Sequence, residues 1–353
     1  MKRFLLVVLV LMSTGPLRAQ TEYVTPSTPL PSHPRILLLK GEEKALKKQV
    51  NADPYWMEIQ ADLIREADRI VELPVNQRIK IGKRLLSDPV EPTDCMWTGR
   101  GPSPVAVMRS SWSDPEGSFL GFKLGSPAVN HAHMDVGSFI FEAGGVRWAL
   151  DLGSQDYERV ESRGVDLWNR STGSQRWDVF RYRTTSHNTL CFNDKPMSVT
   201  ECAELDDTGE KDGIMFAMSD LSAMYSDQIP GVKRAVSLVD GKYAVIQDLL
   251  TCGSHFTKVR WNIASEATSV TFPDETTALL EKDGRKLYLK VSAPFPVRFY
   301  HTDATPANTY DTPNPGVCFV GFEADLERNA TQQLTVYLMP ESIVTEPKTP
   351  YQF

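Results

Sequence analysis

The stretch NHAHMDVGSFIFEAGGVRWALDLG, residues 130 to 153, carries the strongest fold signal in the chain. In its second half, two mostly apolar runs flank the pair Gly144-Gly145, a pattern typical of a β-hairpin. In its first half, His131, His133 and Asp135 are spaced two residues apart, so an extended strand would present all three on one face. That arrangement is compatible with a metal site, with a catalytic site, or with histidines that lie on a strand without a functional role.

Short β-branched or alternating runs surround this stretch and predict a mainly β protein. Asp240-Gly241 and Asp283-Gly284 add two further hairpin signals. We therefore predict a large antiparallel β-sandwich within residues 88–353, with its strands between about 105 and 345. Residues 155–183 are too polar and aromatic for a sheet interior, so we expect them to form a long excursion over one face.

The region before the sandwich, residues 20–87, reads as an extended leader and a short helical segment. Apolar residues at helical spacing predict helices over 40–51 and 54–73, and they favour a third over 76–86. Asp53 is a good N-cap, and Pro54 suits the first helical position.

The N-terminus has the composition of a secretory signal peptide at residues 1–19. Lys2 and Arg3 precede an apolar run over 4–12, and residues 17–19 offer a cleavage site before Gln20. A buried N-terminal strand is the alternative interpretation. We expect a protein of the periplasm or cell envelope, or a secreted one. The sequence has no second apolar run of membrane length, so we expect no span in the mature chain.

Composition and charge narrow the function classes. The net charge of −7 argues against a nucleic-acid partner, although local arginines can still bind an acidic substrate. The five cysteines are scattered and odd in number, which is unlike a disulfide framework or a cysteine-ligated metal site. A bond between Cys191 and Cys202 stays open; the others are Cys95, Cys252 and Cys318.

The hairpin expected around Gly144-Gly145 has a consequence for Asp151. If residues 131–141 pair with 147–153, Asp151 lies beside His131 and His133. A carboxylate at the end of an apolar strand needs a partner, because an unpaired buried charge is costly. His187, in RYRTTSHNTL, stands at the start of another expected strand. His133, Asp151 and His187 thus form a set of two histidines and one carboxylate, a type that binds zinc. For Asp135 we favour a supporting or turn role over direct ligation.

The stretches NHAHMDVGSFIFEAGGVRWALDLGSQDY and RYRTTSHNTL resemble the β-domain signature of the heparinase II/III-like polysaccharide lyases, which include oligo-alginate lyases. The resemblance covers residues 34–87 and about 88–350. It implies an α/α toroid followed by an antiparallel sandwich of the supersandwich type, and β-elimination on a uronic acid. It also implies that His133, Asp151 and His187 bind Zn²⁺ and that His131 is the active-site histidine.

This sequence departs from the family in one respect. The long helical region that the resemblance predicts between Leu86 and Asp88 is absent, and with it the toroid's tyrosine and asparagine. Tyr157 and Tyr182 are therefore candidates to supply a phenol. Basic side chains of the excursion are candidates to face an anionic sugar, with a solvated or structural role as the alternative for each. These are Arg170, Arg176, Arg181 and Arg183. For Trp168 and Trp177 we favour core packing over stacking on sugar.

The expected function is thus a lyase that acts on glycosaminoglycan or alginate, with an acidic polysaccharide or oligosaccharide as its partner. The alternative is a truncated, catalytically poor relative that folds around zinc and at most binds sugar. A zinc hydrolase is a third interpretation, and it would need an open zinc position and a nearby base. Because the toroid wall of the cleft is absent, we expect far weaker activity than in a full-length relative.

Overall fold

The computed structural model describes residues 42–72, 80–81, 84–85 and 92–353. Its contacts divide the chain into two units, Met1–Val90 and Glu91–Phe353. The signal peptide expected at residues 1–19 lies outside the described residues. No helix among those that are described is long and apolar enough to cross a membrane.

The first unit contains the two expected helices, α1 (Glu42–Ala52) and α2 (Pro54–Glu72). Asp53 caps α2, since its Oδ1 accepts a hydrogen bond from the backbone N–H of Tyr55 at 3.0 Å. The prediction of a third helix over 76–86 is wrong for residues 80–81 and 84–85, which are the part of this range that the structure describes. Two short strands, β1 (Lys80–Ile81) and β2 (Arg84–Leu85), pair antiparallel there. Gly82 lies between them in sequence, and glycine is unfavourable inside a helix.

The second unit is built from three antiparallel sheets. The five-stranded sheet has the order β3 (Met96–Gly99), β4 (Val105–Arg109), β5 (Phe119–Lys123), β6 (Ser138–Ala143), β7 (Val146–Ala149). The four-stranded sheet has the order β17 (Arg298–Asp303), β18 (Cys318–Leu326), β13 (Thr257–Ser265), β8 (Cys191–Phe192). The eight-stranded sheet has the order β14 (Ser269–Asp274), β15 (Thr277–Lys282), β16 (Arg285–Ser292), β19 (Thr331–Pro340), β12 (Tyr243–Thr251), β11 (Gly231–Val239), β10 (Ile214–Asp220), β9 (Asp207–Lys211).

Three hairpins form where the sequence predicts them. Gly144 and Gly145, between β6 and β7, have φ values of 62° and 74°. The Asp-Gly pairs at 240–241 and 283–284 join β11 to β12 and β15 to β16, and all four residues also have positive φ. Positive φ at both central residues is the signature of the type I′ turn, whose twist matches that of antiparallel strands.

The three sheets share one apolar core, which confirms the predicted sandwich. Trp148 of β7, Trp261 of β13 and Val236 of β11 are all buried in it. An isolated bridge between Leu150 and Ala264 connects the chain after β7 to β13. That bridge joins the five-stranded and four-stranded sheets into a continuous surface of backbone pairing.

The excursion over 155–183 contains no strand, as predicted. It begins with a short helix, α3 (Tyr157–Glu161), which Asp156 caps by accepting from the N–H of Arg159 at 3.3 Å. Two 3₁₀ helices follow, at Gln175–Asp178 and Phe180–Tyr182. Since these elements leave much of the backbone in turns, side chains must fix their position.

All five cysteines are free thiols. The bond between Cys191 and Cys202 that the sequence left open does not form. Cys191 is buried and its Sγ donates instead to the carbonyl of Lys195 at 3.3 Å. The described part of the chain is therefore held by packing and hydrogen bonds.

A buried ion pair links the eight-stranded sheet to the segments that carry the conspicuous histidines. Arg234 of β11 and Asp248 of β12 are both fully buried, and two guanidinium nitrogens donate to the two carboxylate oxygens at 2.7 and 3.0 Å. The third nitrogen donates to the carbonyls of Gly137 and Asn188 at 2.9 and 3.2 Å. Both arginine and aspartate are thus paired, as buried charges must be.

A buried amide completes this link. Asn188 donates from Nδ2 to the carbonyls of Phe139 and Leu150, both at 2.8 Å, and its Oδ1 accepts from the N–H of Ala264 at 2.7 Å. One side chain therefore fixes the residue that follows His187 against β6, β13 and the segment after β7.

We expect Arg234→Met to lower the free energy of unfolding by about 3–5 kcal/mol, because it leaves the Asp248 charge buried without its partner. Urea unfolding followed by tryptophan fluorescence measures the change. Arg298→Met is the matched control, since Arg298 pairs with Asp325 on an exposed face and should change stability little. Equal midpoints for the two variants would contradict the role given to Arg234.

Candidate active site and metal centre

The His-x-His segment is a turn and not a strand. Residues 130–137 carry no strand, and β6 begins only at Ser138. His131 and Gly137 have φ values of 61° and 79°, a left-handed conformation that breaks an extended run. The positive φ of Gly137 favours glycine there, and a Cβ would also meet a methyl carbon of Leu221 at 2.7 Å. The expectation that the histidines share a strand face is therefore wrong.

The predicted pairing of 131–141 with 147–153 is also shorter than expected. The pairing begins where Phe141 pairs with Ala149 and continues only to the turn. Likewise His187 does not begin a strand: it follows a 3₁₀ helix, Thr184–Ser186, and β8 starts at Cys191. The site is thus assembled from loops that meet beyond the strand ends, which is where functional side chains commonly lie.

The loops nevertheless bring metal-binding groups together. One possible ligand atom from each of His133, Asp135 and His187 lies within 4.8 Å of the others, a group that could hold a metal ion. Asp151 joins them at His187, since its Oδ2 lies 2.8 Å from Nδ1 of that imidazole. Asp135, which we expected to support the site, also forms an ion pair with Lys123.

The charge states of His133 and Asp151 suit a cation, whereas His187 retains its proton more strongly. Burial, and then the neighbouring His187, lowers the pKa of His133 to about 3, so its imidazole is neutral at pH 7. Burial opposes the charge of Asp151, but His187 outweighs that effect through its charge and hydrogen bond and lowers the pKa of the carboxyl. For His187 burial again opposes the charged form, yet Asp151 raises its pKa.

His187 also has an atom without a partner. Its Nε2 is buried and makes no hydrogen bond with any of the described residues. A buried orphaned nitrogen is costly and calls for an explanation. The neutral imidazole of His133, the ionised carboxylate of Asp151 and the Nδ1 atom of His187 that faces this carboxylate form a donor set that fits a divalent metal. Metal ligands must be deprotonated, and a cation can replace the proton between Asp151 and His187.

His131 is not part of that cluster and pairs with Tyr157. Its Nδ1 lies 2.8 Å from the phenol oxygen, and the two rings are parallel to within 2°. His131 is exposed and Tyr157 half-buried, so this pair is open to solvent. Tyr182 is fully buried beneath it and packs on His133 with ring centroids 4.4 Å apart. Burial, followed by the proximity of Tyr157, raises the pKa of Tyr182 to about 12.

Arg176 lies under the site and is buried. Its two Nη atoms donate to the carbonyls of Ala132 and Leu167, each at 2.8 Å. Its guanidinium carbon lies 4.5 Å from the ring centroid of Tyr182. Because Ala132 stands between the two histidines, this side chain fixes their turn to the excursion.

The other predicted arginines differ in how far they are engaged. Arg181 donates to the carbonyl of Ser154 and, from two nitrogens, to Oδ1 of Asn314. Arg170 is exposed and donates from one Nη to the carbonyl of Ala128 at 2.9 Å. Of these two, Arg170 is the more exposed and has one hydrogen bond to the rest of the protein, compared with four for Arg181. Arg183 is half-buried and donates to the carbonyl of Asp178.

The two tryptophans of the excursion differ in burial. Trp177 is buried, which confirms the expected core packing. For Trp168 that expectation is wrong, because 53% of its surface is exposed. Its indole contacts the Tyr157 and His131 rings edge-on, with centroids 5.4 and 6.3 Å away. The sequence held no signal that distinguished the two residues.

Comparison with known families gives one match. Residues 105–345 match the model of the heparinase II/III-like C-terminal domain. The matched segment begins at the first residue of β4 and ends after β19, so it contains every strand of the sandwich except β3, together with the whole candidate site. No protein in the curated collection matches the sequence.

Solved structures share the fold at low identity. A heparinase III is 19% identical with a TM-score of 0.54, over 70% of this chain and 36% of its own length. The heparan sulfate lyase HepC from Pedobacter heparinus is 17% identical with a TM-score of 0.56, over 73% of this chain and 38% of its own. The chain thus spans little more than a third of these relatives, and the likeness shows the fold alone.

We expect Arg176→Lys to speed amide hydrogen exchange in residues 130–137, because a lysine cannot bridge two carbonyls with a planar fork. Exchange measured by mass spectrometry on peptides from this turn tests the expectation. Arg163→Lys is the control, since Arg163 is an exposed side chain of the same excursion. Unchanged exchange in the Arg176 variant would show that other contacts hold the turn.

Proposed function

Because this chain belongs to the heparinase II/III-like family, we propose that it is a lyase that cleaves uronate-containing acidic polysaccharides, or their oligomers, by β-elimination. The observation that carries the proposal is the solvent-open pair of His131 and Tyr157, with Nδ1 and the phenol oxygen 2.8 Å apart. A histidine and a tyrosine that share a hydrogen bond can receive and release a proton within one site.

The reaction requires two proton transfers. The C5–H bond of the uronate breaks and its proton goes to a base; C4 and C5 become double-bonded as the C4–O bond breaks, and the leaving oxygen takes up a proton. We assign both transfers to the Tyr157 oxygen and its hydrogen-bonded partner His131. Tyr182, also a candidate from sequence, is fully buried and lies behind this pair. It therefore serves here to support His133.

The charge that develops next to C5 must be neutralised. Arg170 is exposed on the same excursion as Tyr157, and a guanidinium suits a carboxylate or sulfate. We propose that Arg170 faces the substrate, whereas Arg176 and Arg181 act through the loops they tie. We also propose that the protein works in the periplasm or cell envelope, or is secreted, in keeping with the composition of residues 1–19.

We propose that the metal is zinc, held by His133, Asp151 and His187. Two imidazoles and a carboxylate are ligands that zinc accepts. Asp135, whose carboxylate also lies within 4.8 Å of ligand atoms of both histidines, then remains paired with Lys123. Bound zinc would hold the ligand-bearing loops together and so stabilise the fold around the His131–Tyr157 pair.

A second function has its own support. The chain spans 36–38% of the length of the two lyases described above. Elimination needs a sugar held in register from more than one side. A protein that binds acidic sugar without cleaving it would therefore fit the same fold and the same metal.

The lyase proposal predicts new C4–C5 double bonds, followed by ultraviolet absorbance, when the zinc-loaded chain meets heparan sulfate or alginate. We expect Tyr157→Phe and His131→Ala to lower the rate by about 10²–10⁴-fold, the usual value of general acid–base catalysis. Tyr288→Phe is the control, since this half-buried tyrosine lies on β16. No absorbance on any substrate, with binding retained, would favour the sugar-binding function.

The zinc proposal predicts one zinc per chain in freshly purified protein, measured by elemental analysis. We expect Asp151→Asn to lose the zinc and Asp135→Asn to retain it. His133→Ala should lower the melting temperature, whereas His131→Ala should leave it near that of the original protein, because only a ligand couples metal binding to folding. Zinc lost from Asp135→Asn and retained by Asp151→Asn would reverse the assignment of the carboxylates.

A further inference from the structure

Trp168 is held in a fixed orientation although it is exposed. Its Nε1 donates to Oε1 of Glu161 at 2.7 Å, and its backbone N–H donates to Oδ1 of Asp166 at 3.1 Å. The preceding residue, Leu167, is buried, and its carbonyl accepts from Arg176. The indole is thus anchored at both its ring nitrogen and its backbone, while 53% of the residue remains open to solvent.

The position of this indole is tied to the His131–Tyr157 pair. Its plane stands at 80° and 82° to the Tyr157 and His131 rings, so the three rings form a corner. Arg176 bridges the carbonyl of Leu167 to that of Ala132, the neighbour of His131. One buried side chain therefore ties the backbone beside the indole to the backbone beside His131.

We propose that Trp168 is a sugar-binding platform that holds the ring next to the uronate undergoing reaction. A pyranose presents an apolar face of C–H groups, and a large exposed aromatic ring offers a complementary surface at low entropic cost. Arg170, an exposed residue two positions further along the chain, could supply a positive charge for a carboxylate or sulfate of that sugar. The inference rests on the proposed function and deepens it, since it makes the substrate longer than one sugar.

Binding of short oligosaccharides to the zinc-loaded full chain tests the platform. A heparan sulfate tetrasaccharide and a disaccharide from the same source serve as probes, with affinities from isothermal titration calorimetry. We expect Trp168→Ala to weaken binding of the tetrasaccharide by about tenfold. The ratio of tetrasaccharide to disaccharide affinity should fall as well. Trp97→Ala is the matched control, because Trp97 is 56% exposed on β3 of the five-stranded sheet.

Two further variants separate the indole face from its surroundings. Glu161→Gln keeps an acceptor for the indole N–H and removes a negative charge, so it should bind the tetrasaccharide at least as well as the original chain. Trp168→Phe keeps an aromatic face and should retain most of the affinity. A tetrasaccharide affinity that is unchanged in Trp168→Ala, or lost equally in Trp168→Phe, would overturn the proposal. Unfolding curves for each variant exclude loss of fold as the cause.

The outcome also distinguishes the platform from the lyase activity. Binding that depends on Trp168 without new double bonds would support the platform and contradict the lyase proposal. Elimination whose KM is the same in Trp168→Ala and Trp97→Ala would support the lyase proposal and overturn the platform. A chain that binds neither probe would overturn the platform, whereas new double bonds on alginate would still support the lyase proposal.

Discussion

The pairing of Arg234 with Asp248 is the interaction on which the site depends. It neutralises two charges inside the sandwich and leaves one guanidinium nitrogen to hold Gly137 and Asn188 by their carbonyls. Gly137 ends the turn that carries the conspicuous histidines, and Asn188 follows His187. A fork with a fixed geometry thus sets the distance between two loops that no strand pairing connects.

The remaining loops are fixed in the same way, by side chains that bind backbone. Asn188 holds the carbonyl next to Asp151, and Arg176 holds the turn between the two histidines. Such contacts cost little when fully satisfied and are expensive to break, so they make irregular segments as definite as strands. This explains how a cluster with a buried, unpartnered nitrogen on His187 persists: the surrounding loops do not have the freedom to relax around it.

Much of the fold could be predicted from sequence because hairpins and helices depend on residues that are close together in the chain. The glycine pair at 144–145 indicated the turn of its hairpin, and Asp53 indicated the start of α2. The strand expected at His131 failed because a histidine adopts the left-handed conformation there, which no periodicity reveals. The partnership of Arg234 with the site could not be predicted, since it joins residues about a hundred positions apart. His187 and Asp151 meet as expected, although through loops.

The long reach of these contacts has a consequence for biosynthesis. A ribosome delivers the segment from His131 to His187 well before Arg234, Ala264 or Asn314, the residues to which its loops are tied. The donor side chains therefore emerge as part of a chain that cannot yet hold their geometry, and native pairing must wait for distant segments at a cost in loop closure. We therefore expect the native site to form only when the sandwich is complete.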